Sequence, residues 1–209
     1  MKHEMTQHAH KEFSEWACSY DRCWLNPILF EPAHAMLLKE LGRLPQGRSL
    51  DVGCGTGELA ARLSRQGWRA VALDLCEGML RHAKRKANGN GGIRLAAGDS
   101  QHLPFADSSF DVVTCANSFH HYPDQAAVVC EMRRVLRPGG RLFIIDGWTD
   151  CALGRVVYDL IVTHLVENKR VWHRNARDMA MILASAGFSQ IRQKWRHGFL
   201  PLLMTAGVH

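Results

Sequence analysis

The chain has 209 residues with 46% hydrophobic residues, a size and composition that suit one α/β domain with a full core and exclude a disordered chain. Its net charge is +6, with eight Arg or Lys against three acids in residues 151–209, a surplus suited to an acidic substrate or partner. No Lys/Arg run carries interleaved aromatics, no apolar run reaches the ~20 residues of a membrane helix, and the N-terminus lacks the apolar stretch of a secretory signal, so nucleic acid, membrane span and export are all disfavoured.

Residues 12–41 read as helical: Trp16, Tyr20, Trp24 and Leu25 recur at helical spacing, Pro27 and Pro32 interrupt, and Met36, Leu37 and Leu41 resume before Gly42. "RSLDVGC" (48–54) is a buried strand, and a helix runs from Glu58 to Gln66. "RAVALDL" (69–75) is the second strand, and a helix follows from Glu77 to Ala87 with "RHAKRK" on its exposed side. "IRLAAGD" (93–99) is the third strand, "FDVVTCA" (110–116) the fourth. Asp124 caps a helix to Leu136, "RPGG" (137–140) turns the chain, and "RLFIIDGW" (141–148) is the fifth. Strands that alternate with helices and read as continuous apolar runs predict a parallel sheet covered on both faces. Beyond it, a helix is expected over Leu153 to Val166 and another behind the N-cap Asn175, stopped by Gly187. Residues 188–199 and 200–208 should form two strands paired antiparallel.

The seven cysteines form no CxxC pair, so zinc and redox motifs lack support and free thiols in a reducing cytoplasm are expected. His3, His8 and His10 sit at a terminus that frays, and no metal site is read there.

"LDVGCGTGE" (50–58) carries the chemistry. Its spacing is GxGxG, and Glu58 stands where a dinucleotide fingerprint needs its last glycine. A carboxylate there is unwelcome beside pyrophosphate at a helix N-terminus, and no Gly-Lys pair supports a Walker loop. Asp51 argues the same way: it repels phosphate and attracts an ammonium or sulfonium group. Asp74 follows about 20 residues after the turn, where a carboxylate accepts both ribose hydroxyls. Asp99 can accept from an adenine amino group, with the Ser100 N–H donating to a ring nitrogen. Three acids at successive strand ends fit a ligand with an ammonium, a ribose and an adenine but no phosphate. S-adenosylmethionine (SAM) has those parts.

With these residues the chain resembles class I SAM-dependent methyltransferases, in particular the ubiquinone/menaquinone-biosynthesis group. The resemblance is carried by "LDVGCGTG", "VALDLCEGML", "AAGDSQHLPFADSSFDVV", "FHHYPD" and "EMRRVLRPGGRLFIID", with "ILASAGF" (182–188) and "EFSEWACSYD" outside that core. It implies a Rossmann-like sheet of seven strands with the last antiparallel, and one domain divided into a helical cap (1–46), a SAM-binding core (47–148) and a substrate-side segment (149–209). It implies cofactor contacts at Tyr20, Asp51, Gly53, Cys54, Gly55, Asp74, Leu75, Met79, Asp99, Ser100, Gln101 and Ala116, with S-adenosylhomocysteine as product.

In-line methyl transfer mostly requires positioning, and a base only when the acceptor holds its proton tightly. The candidates are His120 and His121, which titrate near neutrality. Adjacent side chains diverge, so His120 is assigned to the pocket and His121 to the structure. Trp16, Trp24, Phe30, Trp148, Tyr158, Trp172 and His173 are available as acceptor walls, and Arg170 and Arg174 as anion holders. The acceptor is expected to be a small molecule; the residues leave open whether O, C, N or S is methylated, and they do not speak to oligomeric state. A SAM-binding regulator and a nucleic-acid methyltransferase are the alternatives. "CANSF" stands where the latter would carry an Asn/Asp-Pro-Pro-Tyr/Phe tetrad.

Overall fold

A computed structural model describes residues 26–89, 92–158 and 171–209. Helix α1 is Asn26–Leu41, followed by β1 (Arg48–Val52), α2 (Glu58–Arg65), β2 (Arg69–Asp74), α3 (Glu77–Gly89), β3 (Arg94–Ala97) and β4 (Phe110–Ala116). A short helical turn at Phe119–His121 leads to α4 (Gln125–Val135) and β5 (Leu136–Gly147). After a second turn at Ala152–Gly154 come α5 (Ala176–Ser185), β6 (Ser189–Arg196) and β7 (Leu202–Val208). The seven strands form one sheet in the order β3-β2-β1-β4-β5-β7-β6, with β7 antiparallel to both neighbours. This is the expected Rossmann-like architecture with its expected final hairpin.

Strand alternation sends side chains to two cores. Leu50, Val52, Val113, Cys115, Leu142 and Ile144 face α4 and α5, meeting Val128, Val129, Met132, Met179 and Leu183. Ala70, Ala72, Val112, Phe143 and Ile145 face the other way, onto Leu37 and Leu41 of α1 and Leu59 and Leu63 of α2. Both helix caps read from the sequence form: Asp124 accepts from the Ala127 N–H at 3.1 Å, and Asn175 from the Asp178 N–H at 2.8 Å.

Several boundaries differ from expectation. Pro32 does not interrupt α1; it lies inside the helix. An internal proline costs ~3 kcal/mol. Ala33, Leu37 and Leu41 recur every four residues and are fully buried, and burial at ~1.5–3 kcal/mol per large side chain offsets that cost. The "RPGG" turn lies within the span of β5: pairing jumps from Phe110↔Leu136 to Val112↔Arg141, so 137–140 loop out as a bulge. The chain end stitches that bulge, since the Gly139 N–H donates to the His209 carbonyl and the His209 N–H to that of Gly140. β1 and β3 end at Val52 and Ala97, short of their expected limits. The helix expected over 153–166 begins with the turn at Ala152–Gly154, and its part beyond 158 lies outside the described residues. So do Trp16, Tyr20, Trp24 and Arg170.

Candidate functional site

The sheet order reverses between β1 and β4, and in open α/β sheets ligands bind beyond the strand ends at that point. The glycine turn sits there. The Gly53 and Cys54 N–H groups both donate to the Leu73 carbonyl, at 2.9 and 3.0 Å, which anchors the turn to β2. Gly53 has φ +69°, and a Cβ on it would lie 2.5 Å from both Ser118 Oγ and the Tyr122 hydroxyl oxygen. It is glycine for conformation and for space. Gly55 has φ +54°, yet a Cβ there would meet nothing within 4 Å. Its bare backbone faces open room, a cradle into which a ligand can come close.

Asp74 lies at the end of β2 beside this cradle. Its carboxylate accepts from the Gly55 N–H at 2.7 Å and the Cys76 N–H at 2.8 Å. A carboxylate oxygen can accept from more than one donor. β3 pairs Ala97 with Asp74, and the Gly98 N–H donates to the Asp74 carbonyl at 3.1 Å, so the chain reaches Asp99 just past that contact. Asp99 lies beyond the strand, where its carboxylate accepts from the Gln101 N–H at 2.9 Å and Ser100 is buried. Leu75 is half-buried, Met79 is buried in the first turn of α3, and Ala116 is the last residue of β4.

Asp51 is the penultimate residue of β1, paired with Ala72 and Thr114. Burial pushes its carboxyl up to about 7; the 2.9 Å hydrogen bond from Thr114 Oγ1 opposes this, and the Asp74 charge adds to it. Burial also raises the Cys54 thiol, so it is not a ready nucleophile.

A second cluster forms beyond β4 and β5. The His120 N–H donates to Asp146 Oδ2 at 2.9 Å, and His120 Nδ1 lies 2.6 Å from Asp146 Oδ1. Burial alone would raise the Asp146 carboxyl. The His120 charge and hydrogen bond, then His173 and the Gly147 N–H, outweigh it and hold it at about 2. The His173 ring stacks on that of His120 with centroids 4.6 Å apart, and its Nδ1 lies 4.0 Å from Asp146 Oδ1. His121 is half-buried, its ring 4.1 Å from that of His120.

Gln125 fastens this arrangement. Its side-chain amide donates to the Phe119 carbonyl at 3.0 Å and the Trp172 carbonyl at 2.9 Å, and accepts from Arg174 Nε at 2.6 Å. The Trp172 N–H donates to the His120 carbonyl at 2.8 Å. Arg174, read as an anion holder, thus spends its Nε on Gln125. Trp148 bonds Asp150 through its indole N–H and packs against Trp195 and His197 of the last hairpin. Tyr158 packs over Gly147 and lies 5.0 Å from the His173 ring.

Sequence reading gave Asp146, Gln125, Ser118 and Tyr122 no role. Ser118 and Tyr122 close on Gly53, with the Tyr122 hydroxyl 3.3 Å from Ser118 Oγ. Asp146 had a usable signal: like Asp51 and Asp74, it is an acid at the C-terminal end of a strand.

A family model described as a methyltransferase domain matches residues 50–144. The demethylmenaquinone methyltransferase of Staphylococcus aureus (strain JH9) is 33% identical over 147 residues, which is 67% of this chain and 60% of that protein. The match therefore spans less than two thirds of the curated relative. The Burkholderia thailandensis 1,6-didemethyltoxoflavin-N1-methyltransferase, solved with 1,6-didemethyltoxoflavin and S-adenosylhomocysteine, superposes with a TM-score of 0.79 at 21% identity, covering 100% of this chain and 90% of that one. A SAM-dependent methyltransferase of Thermotoga maritima gives 0.76 at 21% identity, covering 94% and 97%. At these identities the likeness is one of fold.

Proposed function

The chain belongs to the class I SAM-dependent methyltransferases, with SAM as cofactor and S-adenosylhomocysteine as product, and from that premise we propose that it methylates a small molecule whose acceptor atom gives up a proton. The observation that carries the acceptor class is the His120–Asp146 pair.

The cofactor reading fits the residues present. Gly55 leaves backbone open to close approach, Asp74 places a carboxylate acceptor beside it for ribose hydroxyls, and the Asp99–Ser100 pair offers an acceptor and a donor for adenine. Asp51, buried and held near neutrality, gains most from a cation beside it, which the SAM ammonium supplies. Cys54, Leu75 and Gln101 neighbour these groups along the chain; Met79 and Ala116, with Tyr20 outside the described residues, complete the assigned set. Bound SAM supplies a sulfonium-activated methyl group; the protein's task is to align it with the acceptor and to take the acceptor's proton.

His120 suits that second task. With Nδ1–H given to Asp146, Nε2 is the ring nitrogen assigned to the acceptor's proton. Asp146 fixes the tautomer and neutralises the imidazolium that forms. His120 is preferred to His121 because both its backbone N–H and its ring nitrogen are held by Asp146.

The test is a panel of hydroxyl, phenol, amine and thiol acceptors with labelled SAM; demethylmenaquinone and 1,6-didemethyltoxoflavin enter as the compounds the relatives' names supply. A proton-bearing acceptor should be methylated, and His120→Gln should lower kcat ~100-fold or more with S-adenosylhomocysteine affinity retained. Equal turnover by the variant would remove His120 from the chemistry. Tight cofactor binding with no transfer to any acceptor would favour a regulatory SAM-binding protein instead.

A further inference from the structure

Among the described residues, His120, Asp146 and His173 bring three metal-ligating atoms within 4.8 Å of one another. All three side chains are largely buried, and each is fixed by its backbone. Asp146 stands at the end of β5, His120 in the turn after β4, and His173 in the segment that Gln125 and the Trp172 N–H tie to that turn. Such convergence of two imidazoles and a carboxylate is a ligand set as well as a proton-sharing one.

We propose that these three residues bind one divalent transition-metal ion of the Zn2+ type, and that the ion takes the place of the proton between His120 and Asp146. The base assignment under the proposed function supplies the consequence of this binding; the site itself rests on the ligand geometry.

Zinc holds nitrogen at ~2.0–2.1 Å and oxygen at ~2.0–2.2 Å, so tetrahedral ligand atoms lie about 3.4 Å apart. The His120 Nδ1–Asp146 Oδ1 separation of 2.6 Å must open by about 0.8 Å, and the His173 Nδ1–Asp146 Oδ1 separation of 4.0 Å must close by about 0.6 Å. Each change is under about 1 Å, and the ion requires His173 to turn from its stack on His120. The remaining hydrogen bonds suit the loaded site. Asp146 Oδ1 keeps the Gly147 N–H at 2.7 Å, and Oδ2 keeps the His120 N–H at 2.9 Å, which orients the carboxylate. Two nitrogens and one oxygen select zinc-like ions over Mg2+ or Ca2+, which take oxygen ligands. Three protein ligands leave a fourth position open.

Protons balance without an outside partner. The metal bonds to Nδ1, the proton held there moves to Nε2, and His120 stays neutral. Its Nε2 then donates where it had accepted. The metal-loaded and base-competent forms exclude each other, so the ion silences the base.

Calorimetric titration of Zn2+ into the chelator-treated full-length chain tests this. The protein carries His3→Ala, His8→Ala and His10→Ala so that the terminal histidines do not compete. One Zn2+ per chain is expected, with affinity at least tenfold weaker in His173→Phe, which keeps a ring for the stack, and in Asp146→Asn. S-adenosylhomocysteine affinity of His173→Phe, measured in parallel, reports that it is folded. Absence of a stoichiometric site, or equal Zn2+ affinity with and without His173, overturns the proposal. Should the variant not fold, histidine 15N spectra of the parent decide. Zn2+ should shift the His120 and His173 resonances and move the His120 proton from Nδ1 to Nε2; unchanged resonances overturn the proposal. Failure of the parent to bind S-adenosylhomocysteine would strike the cofactor assignment alone.

Discussion

Asp74 and Asp51 do different work although both are acids beside one turn. Asp74 accepts two backbone N–H groups, and these fix the direction of its carboxylate. Asp74→Ala should weaken S-adenosylhomocysteine binding by ~1.5–3 kcal/mol, the value of a hydrogen bond to a charged group. Unchanged affinity by calorimetry would refute the ribose assignment. Asp51 has a pH signature. Its carboxyl titrates near 7 in the folded protein against 3.8 in the unfolded chain. Between those values the ligand-free folded state keeps a proton that the unfolded chain has lost, so this group's stabilising contribution falls as pH rises through the window. Binding runs the other way. An ammonium beside Asp51 favours the carboxylate and expels the proton, so affinity should climb with pH, by up to about tenfold per unit, and level off above about 7. Asp51→Asn should flatten this dependence between pH 5.5 and 7.5; an unchanged slope would detach Asp51 from the ammonium.

At the scale of elements, α1 and the glycine turn make opposite predictions about a single methyl group. Pro32 sits in α1 without an N–H to give, so Pro32→Ala restores a backbone bond and should raise Tm by several degrees, less what the unfolded chain gains in freedom. Gly53→Ala adds a methyl where Ser118 and Tyr122 already stand, at a φ of +69°. It should lower Tm and weaken cofactor binding together, while Gly55→Ala, with open space before it, should weaken binding far more than stability. Scanning calorimetry beside ligand titration separates the three. The helix N-caps and the glycine turn were legible because each is encoded within a few consecutive residues. Pro32 misled because a local rule lost to burial that only the packed sheet supplies. The His120–Asp146 contact joins residues 26 apart and depends on the β4–β5 register, in which Ala116 lies opposite Ile145 and the Asn117 N–H donates to the Ile145 carbonyl. Without that register, His120 and His121 looked alike.

For the whole molecule, β7 lies between β5 and β6, pairing with β5 from Arg141↔Val208 to Gly147↔Leu202. It covers the strand that carries Asp146. Deleting residues 189–209 would bare the β5 edge and both cores' final layer, so the truncated chain should aggregate rather than remain monodisperse in gel filtration. The sequence predicted this hairpin but not its insertion beside β5, because strand order is a property of the packed sheet. The reversal of order between β1 and β4 also partitions the site. Apart from Tyr20 and Ala116, every group assigned to the cofactor comes from β1 to β3 or the segments after them, and the imidazole apparatus comes from the turn after β4, from β5 and from residues 172–174. The two halves meet along a seam and share little covalent neighbourhood. A lineage could therefore exchange one acceptor for another by redrawing the second half while the first goes on reading the same cofactor, and a laboratory chimera joined along that seam should inherit its cofactor affinity from one parent and its acceptor from the other.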